Sequence, residues 1–352
     1  MSWLNDPEDD SDEEYSEYDE SAVRVRPNPK GNKPRTKIRP DHENAKPGRV
    51  FSVDRGRYGV WVDENEPTER QIVATRAREL GKNAVVTGDR VDLVGDLSGD
   101  EGSLSRIVRV QTRETLLRRS ADDTDAVERI IVANADQMLI VVAAANPEPR
   151  TRLVDRYLVA AFDAGITPIL CITKTDLQDP AEFLANFAGL GILTYESRSD
   201  KFDIEAITAQ LQGHTTVAVG HSGVGKSTLV NALVPDANRA VGRVNDVTGR
   251  GRHTSSSTIS YRLGSGWIVD TPGVRSFGLG HVNTDNILKS FTDLAAIAED
   301  CPRGCTHLPD APDCALNERV AAELGETGVL RLDSFHRLIT TLKPELKRPE
   351  LT

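Results

Sequence analysis

The chain has 352 residues, room for about two to three domains of ordinary size, which excludes a peptide-sized binding module. Its 43 Lys and Arg against 54 Asp and Glu give a formal charge of -11, so binding nucleic acid by bulk attraction is excluded and any RNA contact must come from local basic patches. Four cysteines, three of them between Cys301 and Cys314, exclude a secreted disulfide scaffold and suggest a reduced compartment and a metal, while the absence of any run near roughly 18 apolar residues and the acidic N-terminus lead us to expect a cytoplasmic protein with no membrane span.

Residues 1–20 hold ten carboxylates and no Lys or Arg, a self-repelling block expected to stay disordered. Charge then inverts, with Arg24, Arg26, Lys30, Lys33, Arg35, Lys37 and Arg39 interleaved with Pro27, Pro29, Pro34 and Pro40. This reads as a solvated linker or as a basic arm for RNA phosphates, and residues 1–47 are set apart as an arm. Residues 48–112 then carry short β-prone runs, at Val50–Val53, Tyr58–Val62, Gln71–Ala74, Gly88–Val94 and Ser105–Val110. Five such strands suit an OB-fold barrel. Arg49, Arg55, Arg57, Arg70, Arg76 and Arg78, with Tyr58 and Trp61, would supply phosphate contacts and a stacking face; a barrel that merely packs on its neighbour is the alternative.

Beyond a connector at Arg113–Arg119 the pattern becomes α/β. Strands are predicted at Gln137–Ala145, Thr167–Ile172, Ile192–Tyr195 and Thr216–Val219, alternating with helices at Arg152–Ala164, Ala181–Ala188 and Ile204–Leu211. That alternation predicts a largely parallel sheet covered on both faces, in a domain spanning 113–284. From Asp285 to the end, 285–352, the chain reads helical, interrupted by the cysteine cluster and closing with Ser334–Leu342 before Pro344.

Gly220, His221, Ser222, Gly223, Val224, Gly225, Lys226 and Ser227 fit G-x-x-x-x-G-K-S, after an apolar strand and before a helix at Thr228–Val234. The glycines let main-chain N–H groups turn onto phosphates, Lys226 reaches the β and γ oxygens, and the Ser227 hydroxyl ligates Mg²⁺. Downstream, Trp267-Ile268-Val269-Asp270-Thr271-Pro272-Gly273 puts a carboxylate at the end of a buried strand, where Asp270 would hold the ion through water and the Gly273 N–H would sense the γ-phosphate. Thr173-Lys174-Thr175-Asp176 is the base-reading segment: a carboxylate at 176 can accept from both N1–H and the 2-amino group of guanine, donors adenine does not pair. The usual form is N-K-x-D, so Thr173 loses an amide and nucleotide affinity is expected to weaken, with specificity kept by Asp176. Ser197 is the candidate backbone-and-hydroxyl contact to the guanine carbonyl. The guanine segment precedes the phosphate loop, the reverse of ordinary small GTPases, so the domain is a circular permutation that leads from Gly273 straight to the cysteine cluster.

With this order, and with Gly249-Arg250-Gly251-Arg252-His253-Thr254, Ser276-Phe277-Gly278-Leu279, Ala133-Asn134-Ala135-Asp136-Gln137 and Asp155-Arg156-Tyr157-Leu158, the sequence resembles the ribosome small-subunit-dependent GTPase A family (RsgA, or YjeQ) from Gly48 to Lys343. The resemblance implies an OB-fold, a permuted GTPase domain and a helical zinc domain, in a factor that binds the small ribosomal subunit and its rRNA and hydrolyses GTP to GDP and phosphate late in assembly. Cys301, Cys305, His307 and Cys314 resemble the family's C-x4-C-x-H-x5-C ligands with the spacing C-x3-C-x-H-x6-C; three thiolates and an imidazole suit one structural, tetrahedral Zn²⁺. Val274 follows Gly273 where Ras-like enzymes place a water-orienting Gln nearby, and by resemblance His253 takes that role. Thr254 is chosen for the second Mg²⁺ hydroxyl, with Ser255 close behind, and Thr228 joins the nucleotide contacts. His221 reads as a variable loop position and Cys171 as core. A monomer with slow intrinsic turnover, activated by the subunit, is expected. The rivals are a P-loop ATPase, with 173–176 a coincidence, and a zinc-dependent RNA-binding module with a passive nucleotide pocket.

Overall fold

The computed structural model describes residues 42–54, 56–80, 85–100, 102–120, 128–199, 201–235, 258–271, 277 and 279–342. Expectations for the arm before 42, and for Arg55, His253, Thr254, Ser255 and Gly273, lie outside them. The first five strands are β1 (Lys46–Asp54), β2 (Arg57–Val62), β3 (Arg70–Arg76), β4 (Arg90–Gly95) and β5 (Ser105–Val110). Alternation drives them: in β4, Val91 and Leu93 turn inward while Arg90, Asp92 and Val94 lie on the other face. Pairing runs β1-β2-β3-β5-β4 and closes from β4 back to β1, with β3 and β5 parallel, so the expected five-stranded barrel forms around Val50, Val60, Ile72, Val91, Leu93 and Ile107. A Cβ on Gly48 would sit 2.7 Å from Leu93 Cδ1 and Val60 Cγ1, which explains the glycine where β1 meets two neighbours.

Arg113–Arg119 is not a plain connector. β6 (Leu116–Ser120) pairs antiparallel with β7 (Glu128–Ala133) in a separate ribbon that buries Leu117 and Val132. Three arginines within seven residues masked the alternation, and the partner strand lies across a long interval.

The α/β part consists of β8 (Gln137–Ala143), α1 (Thr151–Asp163), β9 (Thr167–Thr173), α2 (Ala181–Ala185), β10 (Leu193–Glu196), α3 (Ile204–Leu211), β11 (Thr215–Gly220), α4 (Lys226–Leu233), β12 (Ile259–Leu263) and β13 (Gly266–Asp270). Strands β10-β9-β8-β11-β13 run parallel in that order, and β12, which periodicity did not predict, is antiparallel to β13. All seven residues of β8 are buried, and they divide by parity: Met138, Ile140 and Val142 join the core on one face, Leu139, Val141 and Ala143 that on the other. Helix α2 stops short of the expected Ala188 because the Asn186 amide bonds the Glu182 and Phe183 carbonyls, and a 3₁₀ turn follows at Ala188–Leu190.

The C-terminal helices α5 (Thr284–Lys289), α6 (Thr292–Ala298) and α7 (Ala315–Thr340) bury Ile287, Phe291, Leu294 and Phe335 in the same core as Tyr157 and Leu158 of α1. Helix α7 starts nineteen residues before the predicted Ser334 and is broken at Gly325, whose φ of 63° and ψ of -154° no helix contains. Arg337 of α7 reaches Asp155 of α1 at 3.1 Å, bonds the Asn186 carbonyl and lies over the Phe187 ring.

Two sets of barrel residues are not where their composition suggested. Arg49 is buried, with its guanidinium 3.1 Å from Glu64, 3.2 Å from the Thr215 hydroxyl and 5.2 Å above the Trp267 ring, so it holds the barrel to the sheet instead of facing RNA. Tyr58 lies in the barrel core, and Trp61 meets Phe51 and Trp267 at 6.0 Å each. A basic or aromatic residue on a strand reads alike whether its face meets water or a second domain. Arg57, Arg76 and Arg78 are exposed.

Burial raises the Asp155 carboxyl pKa, with Arg337 opposing. A folded-state pKa above the unfolded one means that this group favours folding most at low pH and loses that contribution as pH rises through the shifted value. Arg337→Met, which leaves the carboxylate buried and unpaired, should therefore destabilise the chain by about 3 kcal/mol near pH 7. The deficit, read from denaturant midpoints, should shrink as the pH falls into the carboxylate range.

Candidate functional site

The parallel strands carry the predicted nucleotide segments to one edge of the sheet. β9 ends at Thr173 opposite Ala143, β11 ends at Gly220 opposite Val141, and Asp270 at the end of β13 lies opposite Ala218 of β11. Loop 221–225 follows β11 and enters α4 at Lys226. A Cβ on Gly220 would lie 2.5 Å from the Val141 carbonyl oxygen, and Gly225 takes a φ of 92° just before the helix, a left-handed turn that only glycine adopts without strain. The turn leaves the first N–H groups of α4, at Lys226, Ser227 and Thr228, without helical partners, as anion binding requires. Ser227 and Thr228 are exposed, while the Lys226 ammonium pairs with the Asp270 carboxylate. That contact puts the cation expected to meet phosphate beside the group expected to hold Mg²⁺ through water. The donor set of Ser227 hydroxyl and Asp270 carboxylate is oxygen-only and suits that hard ion.

The guanine segment is tied to the phosphate loop directly. Thr173 Oγ1 donates to the Val224 carbonyl at 2.6 Å, and Lys174 Nζ donates to the carbonyls of Gly223, at 2.9 Å, and Asn146. Neither tie was read from sequence, since a side chain that serves a loop 50 residues away leaves no local pattern. Asp176 is exposed at the mouth, and the Ser199 N–H, 2.5 Å from its Oδ1, holds the carboxyl below its usual range. The lowered pKa keeps it ionised as the acceptor that a guanine edge requires.

Ser197 is buried beside the guanine segment. Its N–H donates to the Ile172 carbonyl at 2.8 Å, its own carbonyl accepts from the Thr175 N–H at 3.2 Å, and its hydroxyl is buried beside the Cys171 thiol. Its main-chain N–H and carbonyl lace the loop after β10 to the guanine segment, while its buried hydroxyl has no hydrogen-bond partner among the described residues. Ser199, two residues on, is the neighbour of Asp176 that the sequence did not single out. Cys171 is core as expected: fully buried, with its thiol pushed up to about 12 by that burial. His221 turns its Nδ1 to the Ser222 carbonyl at 3.0 Å and borders a small apolar recess with Pro147, Val141 and Tyr157.

Between α6 and α7, Cys301, Cys305, His307 and Cys314 converge, with all their ligand atoms within 4.8 Å of one another. Cys301 Sγ lies 3.6 Å from His307 Nδ1 and 3.9 Å from Cys314 Sγ, and Cys314 Sγ lies 3.9 Å from His307 Nδ1. Metal bonds of about 2.3 Å to sulfur and about 2.0 Å to nitrogen give a tetrahedron with edges of about 3.8 and 3.5 Å, so the group fits one ion with no open position. The altered spacing is absorbed locally: Gly304 and His307 both take positive φ, at 78° and 52°, and the His307 N–H points at Cys305 Sγ at 3.4 Å. Burial pushes the Cys314 thiol pKa up, partly opposed by the Asn317 and Leu316 N–H groups at the start of α7, an arrangement that favours a thiolate once a cation is present.

Comparison with known proteins agrees with this geometry. A family model described as RsgA GTPase matches residues 110–280. A Vibrio vulnificus protein named small ribosomal subunit biogenesis GTPase RsgA 1 is 34% identical over 295 residues, 81% of this chain and 82% of its own length. The chain belongs to the RsgA GTPase family. A family member from Pseudomonas syringae pv. tomato, named small ribosomal subunit biogenesis GTPase RsgA, is 38% identical over 81% of this chain and 83% of its own. Among solved structures, YloQ, described as a circularly permuted GTPase, superposes with a TM-score of 0.62 at 26% identity, covering 86% of this chain and 98% of its own. YjeQ from Thermotoga maritima has the same fold, with a TM-score of 0.62 at 24% identity over 85% of this chain and 98% of its own. The expected OB-type barrel and permuted GTPase fold are those of the family, and among the described residues no helix is long and apolar enough to cross a membrane.

The full chain should carry about one equivalent of a thiophilic divalent ion, measured by elemental analysis after gel filtration. Cys301→Ser should lose it, and chelation should lower the melting temperature of the parent chain while leaving that variant unchanged.

Proposed function

We propose that this chain is a GTP hydrolase that binds the small ribosomal subunit late in its assembly and leaves after hydrolysis. The observation that carries the reading is the direct bonding of an exposed Asp176 segment to a phosphate loop on the same sheet edge, in a family whose named members are small-subunit biogenesis GTPases. In this reading Thr173, Lys174, Thr175 and Asp176 form the base side of the pocket. Gly220, His221, Ser222, Gly223, Val224 and Gly225 wrap the phosphates, and Lys226, Ser227 and Thr228 meet their charge. Ser227 and Thr254 supply hydroxyls to Mg²⁺, Asp270 holds the ion through water, the Gly273 N–H senses the terminal phosphate, and His253 orients the attacking water. The four-residue Cys/His cluster holds structural Zn²⁺.

The division we propose is an arm at 1–47, the barrel at 48–112, the permuted GTPase domain at 113–284 and a helical zinc domain at 285–352, in a cytoplasmic monomer. Exposed arginines of the barrel and the zinc domain would touch rRNA, and loss of the terminal phosphate would reach the zinc domain through the chain after Gly273.

Purified small subunits should raise GTP hydrolysis by the full chain and retain it with a non-hydrolysable GTP analogue. Lys226→Ala should cut turnover on the order of 100-fold, as loss of a transition-state cation does. Asp176→Asn should abolish the preference for GTP over ATP. Subunits that neither stimulate nor retain the protein would remove the ribosomal reading, and an Asp176→Asn variant with unchanged preference would remove the base assignment.

A further inference from the structure

Thr173 stands where related base-reading segments carry asparagine, and the structure shows what its hydroxyl does. The residue is buried at the end of β9, 1% exposed. Its Oγ1 is 2.6 Å from the Val224 carbonyl oxygen and 3.4 Å from that of Val142. A threonine hydroxyl has one proton, and both neighbours are acceptors, so the proton is committed to the backbone. The phosphate loop also covers the side chain: a Cβ on Gly225 would meet Thr173 Oγ1 at 3.6 Å and Cγ2 at 3.8 Å. An asparagine amide has two protons and could bond Val224 with one and a ligand with the other. Threonine has no second donor.

Guanine presents N1–H and the 2-amino group as donors on its Watson–Crick edge, the acceptor N7 on its major-groove edge, and O6 at the corner between the two. Asp176 is a pure acceptor and meets only the first set. We propose that Thr173 confines base recognition to the Watson–Crick edge, acting as a positioning residue between β9 and the phosphate loop. The site then accepts 7-deazaguanine nucleotides, in which a C–H replaces N7, as readily as GTP. This rests on the GTP-binding reading above. The loop-to-loop tie survives the loss of the amide, because the Thr173 hydroxyl and Lys174 Nζ both bond phosphate-loop carbonyls. The weakening expected from the missing asparagine is thereby limited to the N7 contact.

The test is competition binding of GTP and 7-deaza-GTP to the full chain in the presence of Mg²⁺. The parent chain should bind the two within about twofold of each other. Thr173→Asn should prefer GTP by about fivefold, the size of one neutral hydrogen bond. Thr173→Val should weaken both nucleotides alike, since it removes the donor to the Val224 carbonyl but nothing that touches N7. A parent chain that favours GTP by fivefold or more, and loses that preference in Thr173→Val, would overturn the proposal while leaving the GTP reading intact. Failure of the parent chain to bind either nucleotide would overturn the GTP reading and this inference with it.

Discussion

The nucleotide site depends on strand direction. β9, β8, β11 and β13 are parallel, so the segments that follow them emerge on one edge whatever order the chain visits them in. The pairing of Ile172 with Val142, Val141 with Gly220, and Ala218 with Asp270 then sets how far apart the three loops stand. A shift of one residue in any pair would turn buried side chains of that strand toward the wrong face, and for β8 both faces are core. Circular permutation is tolerated for the same reason. It alters which loops are connected, while the sheet edge continues to decide which residues meet.

A second junction joins the barrel to this sheet. β1 pairs Ser52 with Ile259 of β12, and Ile259 in turn pairs with Asp270, so two rungs of one ladder separate a barrel strand from the carboxylate of the phosphate site. The Thr87 hydroxyl bonds the Thr258 carbonyl at 3.0 Å, just before β12. Beside it, Glu64 accepts from Arg49, Arg262 and the Trp267 indole, and Arg262 lies 4.9 Å over the Trp267 ring. Burial raises the Glu64 pKa, but Arg49, the Trp267 N–H and Arg262 outweigh it and leave the carboxyl below its usual range; burial lowers that of Arg49 despite Glu64. Desolvating these charges offsets much of their attraction, so the cluster contributes geometry more than stability. Its many directional partners define one seating of the barrel on β12 and β13.

How much of this was legible in the sequence followed from the range of each signal. The phosphate loop, the base segment and the Cys/His cluster are local patterns whose chemistry demands fixed residue types, and the structure brings each of them together. β8 and β9 were legible as continuous apolar runs because both of their faces are covered. β12 and the β6–β7 ribbon were not, since Arg262, Arg118 and Arg119 interrupt strands too short to show a period. Arg49 looked like a phosphate contact because sequence gives charge but not the partner, and its partners are 15 and 166 residues away. Ser197 was placed near the right loop, but the direction of its N–H is set by pairing with Ile172.

The segment Asp155-Arg156-Tyr157-Leu158 lies on α1, away from the predicted nucleotide loops in the sequence, and its contacts join other parts of the fold. On α1, Asp155 faces the C-terminal helix and takes Arg337, while Arg156 donates to the Phe277 carbonyl at 3.3 Å and the Tyr157 ring meets the Phe277 ring at 5.8 Å, edge to face. Leu158 fills the core that α1 shares with α5, α6 and α7. Phe277 is itself buried, seven residues after Asp270. Four consecutive helical residues point about 100° apart, and here they reach the C-terminal helix, Phe277 and the shared core. Polar ends on Asp155 and Arg156 make those contacts directional where apolar packing alone would let the C-terminal helices slide. One helical turn thus holds Phe277 and the helix that carries Arg337 against a common surface.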